Sequence, residues 1–227
     1  MEKVTLKGSA MMAPLPAAMV SCGNGEESNI ITVAWTGIIN SQPPMTYVSV
    51  RKSRHSHHII EETGEFVINL TTEDLAGVTD WCGVKSGRDL DKFAETGLTP
   101  GKCDEVKCPL VKEAPVNLEC RVTEVKEFPS HDMFIAEIIK IHVDEGLFDE
   151  DGRIRLDRAG MLAYCHGEYF GLKKSSIGRF GFSVMKPKTK KRIAKQQREK
   201  AKRNRRGEGK AGPAPDKSKK KPKRGKH

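Results

Sequence analysis

Apolar and polar residues alternate with a period of two along several stretches of this chain, and these outnumber the helical stretches. Ala17 to Cys22 reads as a first strand, ended by a Gly23-Asn24-Gly25 turn. From Asn29 to Trp35 the β-branched Ile30, Ile31, Thr32 and Val33 favour extended backbone. Met45 to Val50 follows a rigid Pro43-Pro44 corner and alternates as a half-buried strand does, and Glu65 to Leu70 is a further strand. Between Val116 and Phe128, Leu118, Cys120 and Val122 take one side and Glu119, Arg121 and Thr123 the other. A Pro129-Ser130-His131-Asp132 turn leads into a return strand, Met133 to Val143, which predicts an antiparallel hairpin.

Helical spacing is confined to short pieces. His58, Ile59 and Glu62 fit a helix starting after Ser53 and ended by Gly64. Thr71 and Asp74 stand three apart, as in a capping box, before a helix with Leu75, Val78 and Cys82 on one face, ending near Gly83 to Gly87. Strands dominate, helices are short, and β and α segments do not alternate regularly. The body is therefore expected to be mainly β, an antiparallel barrel with helical insertions.

Charge divides the chain in two. Of 40 Lys and Arg and 30 Asp and Glu, 20 basic and 3 acidic residues lie from Lys186 onward. The body, residues 1–185, is thus net acidic, and the basic pI of about 9.3 belongs to the tail, residues 186–227. Large apolar residues are scarce there, Ile193 being the exception, so the tail is expected to be disordered alone, with Lys190 to Arg206 able to become a polar helix on a partner. Such a tail suits nucleic acid or an acidic partner.

Six cysteines show no C-x-x-C spacing and read as reduced thiols. His55, His57 and His58 have no Cys or carboxylate at a familiar ligand spacing, so no metal site is expected. No segment nears the roughly 18 consecutive apolar residues of a membrane span, and Pro14 and Pro16 break the apolar run from Ala10 to Cys22 that might pass for a signal peptide. A cytoplasmic protein without membrane attachment is expected.

Candidate chemistry concentrates between Asn29 and His58. Arg51, Lys52 and Arg54 surround Ser53, His55 and Ser56 where a helix starts, an arrangement suited to a phosphate, although a solvated basic turn has the same composition. Upstream, the stretch Thr32 to Gly37 sets small and hydrogen-bonding groups at a strand end, beside an Asn40-Ser41 turn, where they could line an aromatic ring. Trp35 reads first as a core residue.

These same segments, N-I-I-T-V-A-W-T-G, N-S-Q-P-P-M and R-K-S-R-H-S-H-H-I-I-E-E-T-G-E-F-V-I-N-L, together resemble the flavin reductase-like family, specifically its flavoredoxin branch. P-L-P-A-A-M-V-S-C-G, D-K-F-A-E-T-G-L-T and C-H-G-E-Y-F-G-L add to the likeness, which covers roughly residues 10 to 185. The resemblance implies an FMN-binding split barrel, a homodimer, and FMN in a groove near the subunit interface. By it, Thr32, Ala34, Trp35 and Thr36 lie along the isoalloxazine and ribityl, with Asn40 and Ser41 at the next turn. Arg51, Ser53, Arg54 and Ser56 serve the phosphate, helped by Lys52 or His57, while Asn69, Lys85, Ser86 and Phe93 are further candidates. His55 stands where the family often carries an aromatic such as Tyr. His166 and Tyr169 could close over the ring.

In such a protein the flavin carries the redox chemistry, so no acid–base triad is expected. The chain lacks a G-x-G-x-x-G after a predicted strand, and NADH or NADPH would have to meet the flavin without a Rossmann domain. The expected function is electron transfer from NAD(P)H or a protein donor through FMN. The alternatives are an FMN-binding electron carrier without nicotinamide turnover, or a flavoprotein recruited to nucleic acid by its tail.

Overall fold

A computed structural model describes residues 1–173 and 175–208. The chain divides into two units, Met1–Ser176 and Ile177–His227, so the charge boundary at Lys186 falls inside the second. In the first unit the strands are β1 (Leu15–Pro16), β2 (Ala18–Cys22), β3 (Asn29–Val33), β4 (Thr36–Ser41), β5 (Pro44–Val50), β6 (Glu65–Leu70), β7 (Pro100–Gly101), β8 (Leu110–Val111), β9 (Val116–Glu127), β10 (Asp132–Val143), β11 (Leu162–Cys165) and β12 (Glu168–Gly171). Its helices are α1 (His55–Thr63), α2 (Ala76–Val84) and α3 (Lys92–Thr96). Among the described residues no helix is long and apolar enough to cross a membrane.

Seven strands form one antiparallel sheet in the order β3-β2-β6-β9-β10-β5-β4. Its two edge strands, β3 and β4, are consecutive in the chain and separated only by Ala34 and Trp35. Two residues cannot cross a flat seven-stranded sheet, whose neighbouring strands lie about 4.8 Å apart, so the sheet is rolled until its edges meet. The Ser49 N–H donating to the Trp35 carbonyl at 3.0 Å ties that joint to β5. Inside lie Val20, Ile31, Val48, Phe66, Cys120, Phe134 and their neighbours, with Ile59 and Ile60 of α1 closing one end. Helices α2 and α3 pack outside β2 and β3, where Met19, Ile30, Cys82 and Phe93 share a second apolar cluster.

Four expectations need correction. Thr36–Ser41 is a strand, whereas Asn40 and Ser41 predict a turn; pairing with β5 supplies backbone partners that overrule the local preference. The capping box does not form. The Thr71 hydroxyl donates to the Ala17 carbonyl at 2.7 Å, and a 3-10 turn, Glu73–Leu75, precedes α2. Glu119, on the expected polar side of its strand, is fully buried because the segment from Cys103 to Leu110 covers that face. In the second unit, Pro187–Glu208 is a helix, α4, where composition predicts disorder. Lys, Arg, Gln and Ala are strong helix formers, Pro187 occupies the first helical position, and a helix can form without a core. The remainder of the expected disordered tail, residues 209–227, lies outside the described residues.

All six cysteines are free, and all but Cys165 are buried. Burial pushes the Cys22 thiol up to about 12 and the Cys82 thiol to about 11, so neither is a nucleophile at neutral pH.

Candidate functional site

Two adjoining chambers open where the start of α1 faces the end of α2. The first, about 480 Å³, is lined by Asn29, Arg51, Ser53, Arg54, His55, Ser56, Lys85, Ser86, Gly87 and Lys92, with Ile31, Cys82 and Gly83. Four lining residues are basic and none is acidic. The second, about 390 Å³, has an apolar and aromatic wall of Ala17, Val33, Ala34, Val50, Val84, Trp35, Tyr164 and Tyr169, with Thr32, Ser49, Asp80 and His131. Ile31, Arg51, Arg54 and Gly83 belong to both. A larger cavity of about 680 Å³ lies between Asn24 and Pro109, but Asp91, Asp104 and Glu105 offset Lys102 and Lys107 there.

Local structure explains how the first chamber is built. Arg54 caps α1 in extended conformation with no side-chain capping bond, which leaves the helix start as a donor end. Ser56 is pinned by the Asn29 amide at 2.8 Å. Gly87 makes room for Asn29, since a Cβ there would stand 2.2 Å from its Oδ1. Lys92 is only 3% exposed, and its ammonium donates to the carbonyls of Ile30 and Cys82, both at 2.7 Å. An ammonium has three N–H groups, so one is left for the chamber. Burial first, with Arg54 adding to it, holds Lys92 below its ordinary value. Burial, then His58, Arg88 and Lys92, lowers His55, whose Nδ1 is buried without a hydrogen-bond partner.

In the second chamber Trp35 is 41% exposed and therefore not the core residue its type suggests. Its ring lies 4.5 Å from that of His131, tilted by 38°. Tyr169 donates to Asp80 Oδ1 at 3.2 Å and meets Tyr164 edge-on at 5.4 Å. Burial, then the Asp80 carboxylate, pushes the Tyr169 hydroxyl up to about 12, so it stays protonated.

Residues 11–173 match the family described as flavin reductase like domain. The chain belongs to the flavin reductase-like family. This flavin reductase-like chain is similar to the flavoredoxin of Desulfovibrio vulgaris (Miyazaki F), with 30% identity over 80% of this chain and 100% of that one, and a TM-score of 0.74. It also resembles the flavoredoxin of Methanosarcina acetivorans, with 28% identity, 82% and 100% coverage and a TM-score of 0.72. The fold is the split barrel, as in a flavin reductase of Shewanella frigidimarina described as having a split barrel domain, with 22% identity over 73% of this chain and 86% of that one and a TM-score of 0.66. Relatives with named activities include an NADPH-flavin oxidoreductase of Streptomyces viridifaciens, 24% identical over 59% of this chain and 69% of that protein. Another is the NADH-dependent FMN reductase AsuE2 of Streptomyces nodosus subsp. asukaensis, 24% identical over 59% and 71%.

Of the residues singled out from sequence in this flavin reductase-like protein, the structure brings Arg51, Ser53, Arg54, His55, Ser56, Lys85 and Ser86 to the first chamber, and Thr32, Ala34, Trp35 and Tyr169 to the second. It does not bring the others. Lys52 pairs with Glu127 at 2.7 Å and Asp132 at 3.3 Å, and His57 Nε2 lies 2.7 Å from Asp132 Oδ2. The buried Asp132 carboxylate needs these partners. Burial alone would raise it, but the bonds from His57 and Lys52 hold it below its ordinary value. Thr36 is buried and donates to the Tyr47 carbonyl at 2.6 Å. Asn40 donates to the Pro43 carbonyl at 2.9 Å, and it and Ser41 sit exposed on edge strand β4. Asn69 is buried beneath the barrel wall, bonding Met19, Ser21, Val111 and Asn117. Phe93 is in the outer apolar cluster, and His166 is in the β11–β12 turn with φ 48°.

Sequence reasoning passed over Asn29, Asp80, Lys92, His131 and Tyr164. Lys92 sits in the D-K-F-A-E-T-G-L-T segment of the family likeness, just after the N-cap Asp91 of α3, where nothing local marks it as buried. Elsewhere, Asp104, Glu119 and His142 each offer a ligand atom within 4.8 Å of one another. Glu119, however, already accepts from His142 and from the N–H groups of Asp104, Glu105 and Val106, so it serves the fold.

Proposed function

We propose that this protein is an FMN-dependent oxidoreductase that takes electrons from NADH, NADPH or a protein donor. The observation carrying this reading is the pairing of a chamber ringed by four cations and no carboxylate with an aromatic-walled one, the two joined at Arg51 and Arg54. A phosphate at one end of a flat ring system needs both. Arg51, Arg54, Lys85 and Lys92 would hold the phosphate, with the hydroxyls of Ser53 and Ser86. The neutral His55, in its Nδ1–H tautomer, would give its orphaned donor to the same anion. Thr32, Ala34, Trp35 and Tyr169 would bound the ring, joined by His131 and Tyr164. Bound FMN supplies hydride and one-electron chemistry, while the protein orients it and excludes water. The Thr32 hydroxyl is committed to the Thr79 carbonyl, so its contribution to the ring is its methyl face.

Nicotinamide use is supported by the two Streptomyces relatives named for it, and the carrier alternative by the flavoredoxin neighbours. Anaerobic titration separates them. The protein loaded with FMN is expected to show flavin absorbance that bleaches on adding NADH or NADPH. Bleaching only by a strong chemical reductant would establish the carrier reading, and failure to take up FMN would overturn both.

The proposal includes a homodimer, supported by Ile38 and Ile39 standing 68% and 48% exposed on edge strand β4 next to Trp35. Sedimentation is expected to give twice 25.2 kDa; a single-chain mass would refute the dimer.

A further inference from the structure

The second unit begins at Ile177, ahead of the cationic run, and that places aromatic side chains in the same unit as the cations. Phe180 is fully exposed and Phe182 is 49% exposed. A turn presents them, with the Phe182 N–H donating to the Arg179 carbonyl at 2.9 Å and Gly181 at φ 80°. Phe182 is held against Gly178, where a Cβ would meet its ring at 2.6 Å. Basic Arg179 and Lys186 flank the pair.

The helix α4 follows at once. Lys188, Lys191, Arg192, Lys195 and Arg198 are all exposed and stand one or three residues apart, which at about 100° per residue puts them on one face roughly 120° wide, while Lys190, also exposed, falls on the opposite side. Thr189 and Ile193, less exposed, fall on the other side. In sequence the cations continue to Arg206, against Glu199 and Glu208 alone in this helix. Its 22 residues span about 33 Å.

We propose that the unit starting at Ile177 binds single-stranded nucleic acid, with phosphates along the cationic face of α4 and bases stacked on Phe180 and Phe182. Each element answers one part of that ligand. A row of cations gains from counterion release but reads no base, and an exposed ring stacks on any unpaired base while a duplex offers it none. An anionic membrane would attract the same cations, but a helix lying in the lipid interface needs an apolar face, and the described positions of α4 offer Ile193 and Ala194. An acidic protein would use the charges and leave the rings unexplained.

The test uses the full chain and fluorescence anisotropy, with a fluorescein-labelled 20-nucleotide oligothymidylate, a duplex of equal length, and vesicles of phosphatidylcholine with phosphatidylserine. The oligonucleotide is expected to bind at low salt, with a log–log salt slope of about −3.5 or steeper if the five cations of that face each meet a phosphate. Changing all five (K188Q, K191Q, R192Q, K195Q and R198Q) keeps good helix formers and should weaken binding at least about tenfold and flatten that slope. The pair Phe180→Ala and Phe182→Ala should weaken single-strand binding about tenfold and leave duplex binding unchanged. The proposal is overturned if the oligonucleotide does not bind, if the five-site variant binds like the parent, or if the phenylalanine variant loses both nucleic acids equally. It is also overturned if only vesicles bind. None of these readouts depends on the flavin.

Discussion

Arg51→Ala combined with Arg54→Ala is expected to raise the dissociation constant for FMN about a hundredfold. A hydrogen bond to a charged group contributes about 1.5–3 kcal/mol, which for two arginines spans about 10² to 10⁴ at 1.4 kcal/mol per tenfold. Both side chains are exposed, so solvent screening favours the lower end, and added salt should narrow the gap. The fold should survive, because the local turn rests on the Arg54 N–H donating to the Arg51 carbonyl at 2.9 Å, a bond alanine keeps. Quenching of flavin fluorescence on titration measures the effect. Unchanged affinity would place the phosphate elsewhere and remove the basis of the functional proposal.

The largest effect on stability is expected from Glu119→Ala, at about 3–5 kcal/mol, since several donors lose their acceptor at about 1–3 kcal/mol for each one left buried. The substitution leaves the N–H groups of Asp104, Glu105 and Val106 and the His142 ring without their acceptor. In a chain of this size that corresponds to a melting temperature about 10 °C lower. Calorimetry of the variant checks it; a loss under about 1 kcal/mol would mean that the segment from Cys103 to Leu110 is held by its apolar contacts alone. The pH dependence has a definite sign. Burial alone would raise the Glu119 carboxyl, but His142 and the three N–H groups hold it below its ordinary 4.5. Its contribution is therefore present above about pH 4.5 and lost as pH falls below that, and the variant should show a shallower acid limb. Asp132 and Glu113, shifted in the same direction, preserve part of the slope.

What could be read from the chain was what neighbours in sequence decide. The strands containing Val20, Ile31, Val48 and Ile68 and the β9–β10 hairpin follow from β-branching and alternation, and the cations from Arg51 to Arg54 declare themselves within four residues. Thr36–Ser41 did not, because its partner β5 is what makes it a strand. Lys92 looked like an ordinary helix-surface lysine beside Phe93. Only the packing of α3 against β3 and α2 turns its ammonium toward Ile30 and Cys82. Lys52 and His57 belonged to the basic cluster by proximity but answer to Asp132, 75 residues beyond His57. Local pattern shows which groups are present, and distant carboxylates decide which of them are free to meet a ligand.

The joint at Ala34 and Trp35 links events that most barrels keep apart. Because the sheet's first and last strands meet there, parting the seam would displace the same two residues that wall the aromatic chamber. A ring seated in that chamber would therefore rest on the closure itself, because Ala34 and Trp35 serve both. Lengthening the joint by one residue would alter the sheet closure and the wall of the chamber together.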